Sequence, residues 1–129
     1  MTHAHLNFYN YIDGKKYYVC SIHICHDGFD DVVIPILRKA FNFCEKIGHI
    51  IEIKGKDFSN WFSAETLAFN FCAFWGKDDG VMLFNEEESD ASYFYEIINN
   101  SEKRQVEIIL NGYKQFSKVW ERTKDNNNS

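Results

Sequence analysis

Thr66-Leu67-Ala68-Phe69-Asn70-Phe71-Cys72-Ala73-Phe74-Trp75, followed by Gly76-Lys77-Asp78-Asp79-Gly80 and Val81-Met82-Leu83-Phe84-Asn85, contains the longest nearly unbroken apolar run of the chain. Its large residues Leu67, Phe69, Phe71 and Trp75 stand at odd positions, the period-two pattern of a strand. Gly76 to Gly80 supplies turn chemistry, and Val81 to Phe84 reads as a returning strand. The stretch therefore predicts a hairpin at the centre of an antiparallel sheet.

Working outward, Ser92 to Ile98 (Ser-Tyr-Phe-Tyr-Glu-Ile-Ile) is open to helix or strand, and its aromatic and β-branched content favours strand. His49 to Lys54 reads as another short strand. Residues 56–65 are the least legible: Phe58, Trp61 and Phe62 are spaced for one helical turn among Asn and Ser. Upstream, Val33, Leu37, Ala40, Phe41, Cys44 and Ile47 recur at helical spacing. Asp30 and Asp31 suit that helix's N-terminus, and Gly48 suits its stop. Pro35 is compatible only with the first turn or with the start of the regular helix.

The N-terminal stretch predicts two strands. Leu6, Phe8 and Ile12 share one face, as do Tyr18, Cys20, Ile22 and Ile24. A three-residue loop, Ile12-Asp13-Gly14, pairs Phe8 with Tyr18 and Leu6 with Cys20, so the apolar faces coincide. A two-residue Asp-Gly loop pairs even with odd residues and sets those faces against each other. At the other end Val106, Ile109, Leu110, Tyr113, Phe116 and Trp120 form one helical stripe, with Asn100 or Ser101 as cap and Gly112 inside it. The expected fold is α+β: a single domain over residues 1–123, with a mainly antiparallel sheet of about five to six strands and two main helices packed on it. The polar tail 124–129 is expected to be disordered.

Composition agrees with one domain: 129 residues, 45% hydrophobic, with twelve Phe, seven Tyr and three Trp. No apolar run approaches the ~20 residues that span a bilayer. The first residues lack the basic and apolar regions of a signal peptide, so the expected location is cytoplasmic, with no membrane partner. The cysteines (Cys20, Cys25, Cys44, Cys72) follow no C-x-x-C spacing, and reduced thiols are expected. Cys20, Cys44 and Cys72 lie on apolar periodic faces and are expected to be protected.

Charge is unevenly placed within the net −5. Residues 76–102 hold eight acids (Asp78, Asp79, Glu86, Glu87, Glu88, Asp90, Glu96, Glu102) against Lys77 alone, a balance of −7, whereas residues 103–129 stand at +3. The asymmetry speaks against nucleic acid and for a basic partner. Tyr93, Tyr95 and Trp61 are the aromatic candidates to support docked Lys or Arg. The run matches no EF-hand pattern.

His23-Ile24-Cys25-His26-Asp27 is the only cluster of reactive residue types. As a metal site it would use His23, Cys25 and His26, but His26 points away from the other two on a strand and no second ligand pair appears. As a cysteine nucleophile with a histidine base it needs a partner from a distant segment. A strand end entering a polar turn is the plainer reading, so neither a metal nor a cofactor is expected. Phosphate-binding loops, G-x-S-x-G and dinucleotide fingerprints are absent from the sequence.

Across residues 1–123 the compact α+β profile, with Asp78-Asp79 and Glu86-Glu87-Glu88 concentrated in one region, resembles the small cytosolic immunity proteins that accompany bacterial toxin domains, such as those of contact-dependent growth inhibition systems. The resemblance implies a non-enzymatic inhibitor that binds a cognate toxin one to one, often a nuclease whose basic cleft an acidic surface covers. A phage-type inhibitor of a nucleic-acid enzyme would use the same physics. The alternatives are a small enzyme or metal protein centred on His23, Cys25 and His26, and a homo-oligomeric adaptor associating through Tyr9, Tyr11, Trp61 and Phe62.

Overall fold

The computed structural model describes residues 3–53, 63–75, 81–84, 92–100 and 102–119. Its elements in chain order are β1 (Ala4–Ile12), β2 (Lys15–Ile24), α1 (Asp30–Ile53), α2 (Ala64–Trp75), β3 (Val81–Phe84), β4 (Tyr93–Asn100), β5 (Gln105–Leu110) and β6 (Tyr113–Val119). The strands form one six-stranded sheet in the order β3-β2-β1-β4-β5-β6. Only β1 and β4 run parallel; the other four neighbouring pairs are antiparallel. The expected class is what the chain adopts: α+β, with a mainly antiparallel sheet and, among the described residues, two helices on it. Among the described residues no helix is long and apolar enough to cross a membrane.

The N-terminal hairpin meets the face-matching requirement by a route other than the expected loop. Its turn is the two-residue Asp13-Gly14, both at positive φ (51° and 79°), with Ile12 opposite Lys15. This is the primed turn whose twist suits paired strands. The register shifts between Phe8 and Tyr9, so that Tyr9 opposes Tyr18 but Phe8 opposes Cys20, leaving Val19 as the extra residue of a bulge. Beyond the bulge Leu6 opposes Ile22 and Ala4 opposes Ile24, all four fully buried. The bulge corrects the mismatch that a two-residue loop alone would cause.

The decisive apolar stretch is a helix, not a strand. In α2 the buried positions Ala64, Leu67, Ala68, Phe71 and Trp75 are spaced three, one, three and four apart, while Phe69 is 73% exposed. A strand with Leu67 and Phe71 inside would bury Phe69 as well. Ser63 starts the helix: its side-chain oxygen accepts from the Thr66 N–H (3.3 Å) and its carbonyl from Leu67 N–H (3.0 Å). Asn10 of β1 then ties this end to the sheet, accepting from Ala64 N–H (2.9 Å) and from Asn99 Nδ2 (3.3 Å) while donating to Glu65 (2.8 Å).

Further expectations are corrected. Residues 49–53 continue α1 rather than forming a strand, and Gly48 lies inside the helix. A glycine there costs about 1 kcal/mol relative to alanine, which a 24-residue helix tolerates. Pro35, expected in the first turn or at the start of the regular helix, sits in the second turn of α1, which forgoes the hydrogen bond its missing N–H would donate. The stripe of residues 106–119 is not a helix but the hairpin β5–β6. Its turn, Asn111-Gly112, again has both residues at positive φ (49° and 87°), and a register shift between Ile108 and Ile109 leaves Gln115 unopposed. Asn111 has a second task, accepting Phe94 N–H on its side chain (2.9 Å) and donating its own N–H to Phe94 carbonyl (2.8 Å). Residues 93–98 form a strand, as their composition indicates.

Both helices cover one sheet face. Ala4, Leu6, Phe8, Ile22, Ile24, Tyr95, Ile97, Val106 and Ile108 meet Val33, Leu37, Ala40, Phe41, Cys44, Leu67 and Phe71 in one core. The distal strand β6 is secured to α1 by Phe116, whose ring lies 6.0 Å from Phe41 and under the Arg38 guanidinium (4.9 Å), and by Lys118, which reaches Asn42 and Glu45 (both 3.0 Å). The expectations for residues 56–62, Trp120 and the tail 124–129 lie outside the described residues.

A side chain added at Gly112 meets no atom within 4 Å, so its cost is purely conformational. Gly112→Ala is expected to lower stability by about 1–2 kcal/mol, because φ there is left-handed. In a helix the same change would raise stability by about 1 kcal/mol. The sign of the shift in urea midpoint distinguishes the two structures.

Candidate functional site

The sheet face turned away from the helices carries polar side chains that are nonetheless buried. Odd-numbered β1 residues His5, Asn7 and Tyr9 are only 3%, 1% and 3% exposed, and Ser21 of β2, opposite Asn7, is fully buried. Asn7, Tyr9 and Ser21 are held there by hydrogen bonding. The Ser21 hydroxyl donates to Asn7 Oδ1, the Tyr18 hydroxyl lies 2.7 Å from Ser21 Oγ, and Asn7 Nδ2 donates to the Tyr9 hydroxyl (3.3 Å). Lys16 closes this end, its ammonium 4.5 Å above the Tyr9 ring and 3.3 Å from Glu96.

At the other end of the same face three histidines gather. His5 is the register partner of His23, and His3, two residues before His5, lies diagonally across from His23. His3 Nδ1 is 3.3 Å from His23 Nε2, and the His5 and His23 rings stand edge to face with centroids 6.0 Å apart. Phe94 of β4 flanks His5 at 6.4 Å. The expected grouping was different: His23 with Cys25 and His26. His26 is exposed and Cys25 half-buried beyond the end of β2, and among the described residues no group of three or more His, Cys, Asp or Glu is placed to hold a metal. The signal for the histidine cluster was present in the alternation His3-x-His5 on one strand of a hairpin with His23 on the other. Both the expected and the observed register set a β1 histidine opposite His23.

Of the residues expected to bind a partner, Asp78, Asp79, Glu86, Glu87, Glu88, Asp90 and Trp61 lie outside the described residues. Tyr95 is in the core, not on a surface: it is fully buried and its hydroxyl donates to the Gly28 carbonyl (2.9 Å). Burial, then the nearby Asp30, pushes its phenol well above the ordinary tyrosine range. It therefore has no surface to offer. Tyr93 is half-buried, stacked on Tyr95 at 6.4 Å and edge-on to Phe29 at 5.7 Å. The other two acids of the −7 segment are engaged within the chain, Glu96 with Lys16 and Glu102 with the Asp13 N–H (2.6 Å).

The cysteines also separate. Cys44 is buried between the helices, with Asn70 Nδ2 3.5 Å from its sulfur, and burial pushes its thiol up to about 12. Cys20 is half-buried and pushed up to about 11 by burial, with smaller contributions from Cys72 and Glu65. Cys72, expected to be protected, is exposed on α2, although partial burial of its sulfur raises its thiol. Its exposure follows from the helical geometry of a segment read as a strand. None of these three is an activated nucleophile, since each is shifted away from the thiolate.

Comparison with protein-family models, with curated proteins and with solved structures finds no match to this chain.

Burial holds the Cys44 thiol far above the usual range, so it stays protonated and unreactive at pH 8. Labelling of the native protein is expected to modify Cys72 first and Cys44 only on unfolding. Mass spectrometry after partial labelling checks the order; early modification of Cys44 would mean that the helix–helix contact is not closed.

Proposed function

We propose that this chain is a non-enzymatic protein-binding inhibitor, acting in the cytoplasm, that neutralises a cognate toxin by covering a basic surface with its acidic segment. The observation that carries this reading is the balance of −7 in residues 76–102, larger than the net charge of the whole chain. Six of its acids, Asp78, Asp79, Glu86, Glu87, Glu88 and Asp90, belong to the two connections that enter and leave β3, an edge strand of the sheet. Like charges so concentrated repel one another, and a cationic partner relieves that repulsion.

Within this reading the carboxylates steer encounter, giving a fast association rate that falls with salt. Affinity comes from fewer, better-desolvated contacts, for which Trp61 and the half-buried Tyr93 are candidates. Tyr95 contributes only by supporting Tyr93 from beneath. A nuclease is the favoured class of toxin, because a site that binds a polyanion presents the complementary charge.

Two variants test the reading: Glu86, Glu87 and Glu88 all changed to Lys, and separately Asp78→Lys with Asp79→Lys. In cells expressing a cognate toxin domain, at least one variant is expected to remain folded yet lose protection. Full protection by both folded variants would remove the acidic segment from the binding surface.

A further inference from the structure

We infer that His3 and His23 form a two-imidazole site for one zinc-class divalent ion on the sheet face turned away from the helices. The argument begins with a distance. Two nitrogens bound to one tetrahedral zinc at ~2.0–2.1 Å stand ~3.3–3.4 Å apart. His3 Nδ1 and His23 Nε2 are 3.3 Å apart without any ion. A metal can thus be gripped with small ring rotations and no change in strand register.

The protonation chemistry balances. In the metal-free pair one imidazole donates N–H to the other's lone pair. Coordination needs lone pairs on both facing nitrogens, which one ring supplies by moving its proton to its other nitrogen. No net proton is lost from two neutral rings. Imidazole donors favour zinc, nickel or copper over magnesium or calcium, and a chain with net charge −5 places no general electrostatic barrier before a cation.

The surroundings favour a held site rather than a chance approach. His23 is fixed on β2 by pairing with β1 on one side and β3 on the other, where it opposes Met82. His5, 3% exposed and edge-on to His23, acts as a positioning residue that restricts the His23 ring. His3 and His23 are both half-buried rather than sealed in the core. Two protein ligands come from the described residues, and a tetrahedral ion takes two further donors. The inference does not rest on the proposed partner.

The test is calorimetric titration of the full chain with Zn²⁺ near neutral pH, repeated with Co²⁺ to read the visible absorption of a coordinated ion. The expected result is saturable binding of a single ion, weakened ~10-fold or more by His3→Ala and by His23→Ala, since losing a ligand costs at least as much as losing an outer-shell contact. His26→Ala, outside the cluster, is expected to leave binding unchanged. Circular dichroism establishes that each variant is folded; should His23→Ala fail to fold, His3→Ala, which precedes β1, decides alone. No saturable binding up to ~1 mM Zn²⁺, or equal binding by wild type and His3→Ala, would overturn the inference and leave the pair as a hydrogen bond only.

Discussion

The structure depends on one strand being enclosed on every side. β1 shares hydrogen bonds with β2 along one edge and β4 along the other, the latter pairing being the single parallel one in the sheet. Its even residues Ala4, Leu6 and Phe8 are buried beneath the helices, and its odd residues His5, Asn7 and Tyr9 are buried on the opposite face. A strand enclosed in this way must satisfy two kinds of chemistry at once. The apolar side gains from transfer out of water, at about 25 cal/mol per Å². The polar side is tolerable only because Asn7, Ser21, Tyr18 and Tyr9 bond to one another.

Other features follow from that enclosure. Parallel pairing of β1 with β4 requires a crossover of some length, and the chain between them supplies β2, both helices and β3. The β1–β2 bulge at Val19 sets Leu6 and Phe8 on the same side as Ile22 and Cys20. Asn10, at the end of β1, receives the first turn of α2, so one strand also sets where a helix begins. β5 and β6 extend the sheet beyond β4, and Lys118 and Phe116 return contacts to α1.

The sequence carried the fold class but not every element, and the failures share a cause. In α2 Leu67, Phe69 and Phe71 alternate as in a strand, while Leu67, Ala68, Phe71 and Trp75 also fit a helical stripe and Ser63-x-x-Thr66 offers a cap. A segment apolar nearly all round satisfies both periods, and only tertiary packing decides. At the other end Val106, Ile109, Leu110, Tyr113 and Phe116 matched a helix, but Asn111-Gly112 is among the strongest short-range hairpin signals. Bulges at Val19 and Gln115 disturb strict alternation, which makes true strands look less regular than they are. The proposed acidic surface rests on charge alone, since carboxylate clustering is a property of composition and carries no contacts. Tyr95 looked like a docking aromatic and is a core residue, because β4 lies inside the sheet rather than at its edge. The histidine cluster needed strand register, which one sequence supplies only through the turn.

Amide hydrogen exchange resolved by residue tests the enclosure of β1 most directly, since protection follows local opening free energy. The expected result is that Leu6, Asn7 and Phe8 exchange with the slowest class of amides in the protein, at the rate of global unfolding, while residues in β6 exchange faster. Rapid exchange at Leu6 to Phe8, with slow exchange running continuously through residues 106–119 as in a buried helix, would contradict the central position of β1 and the sheet built around it.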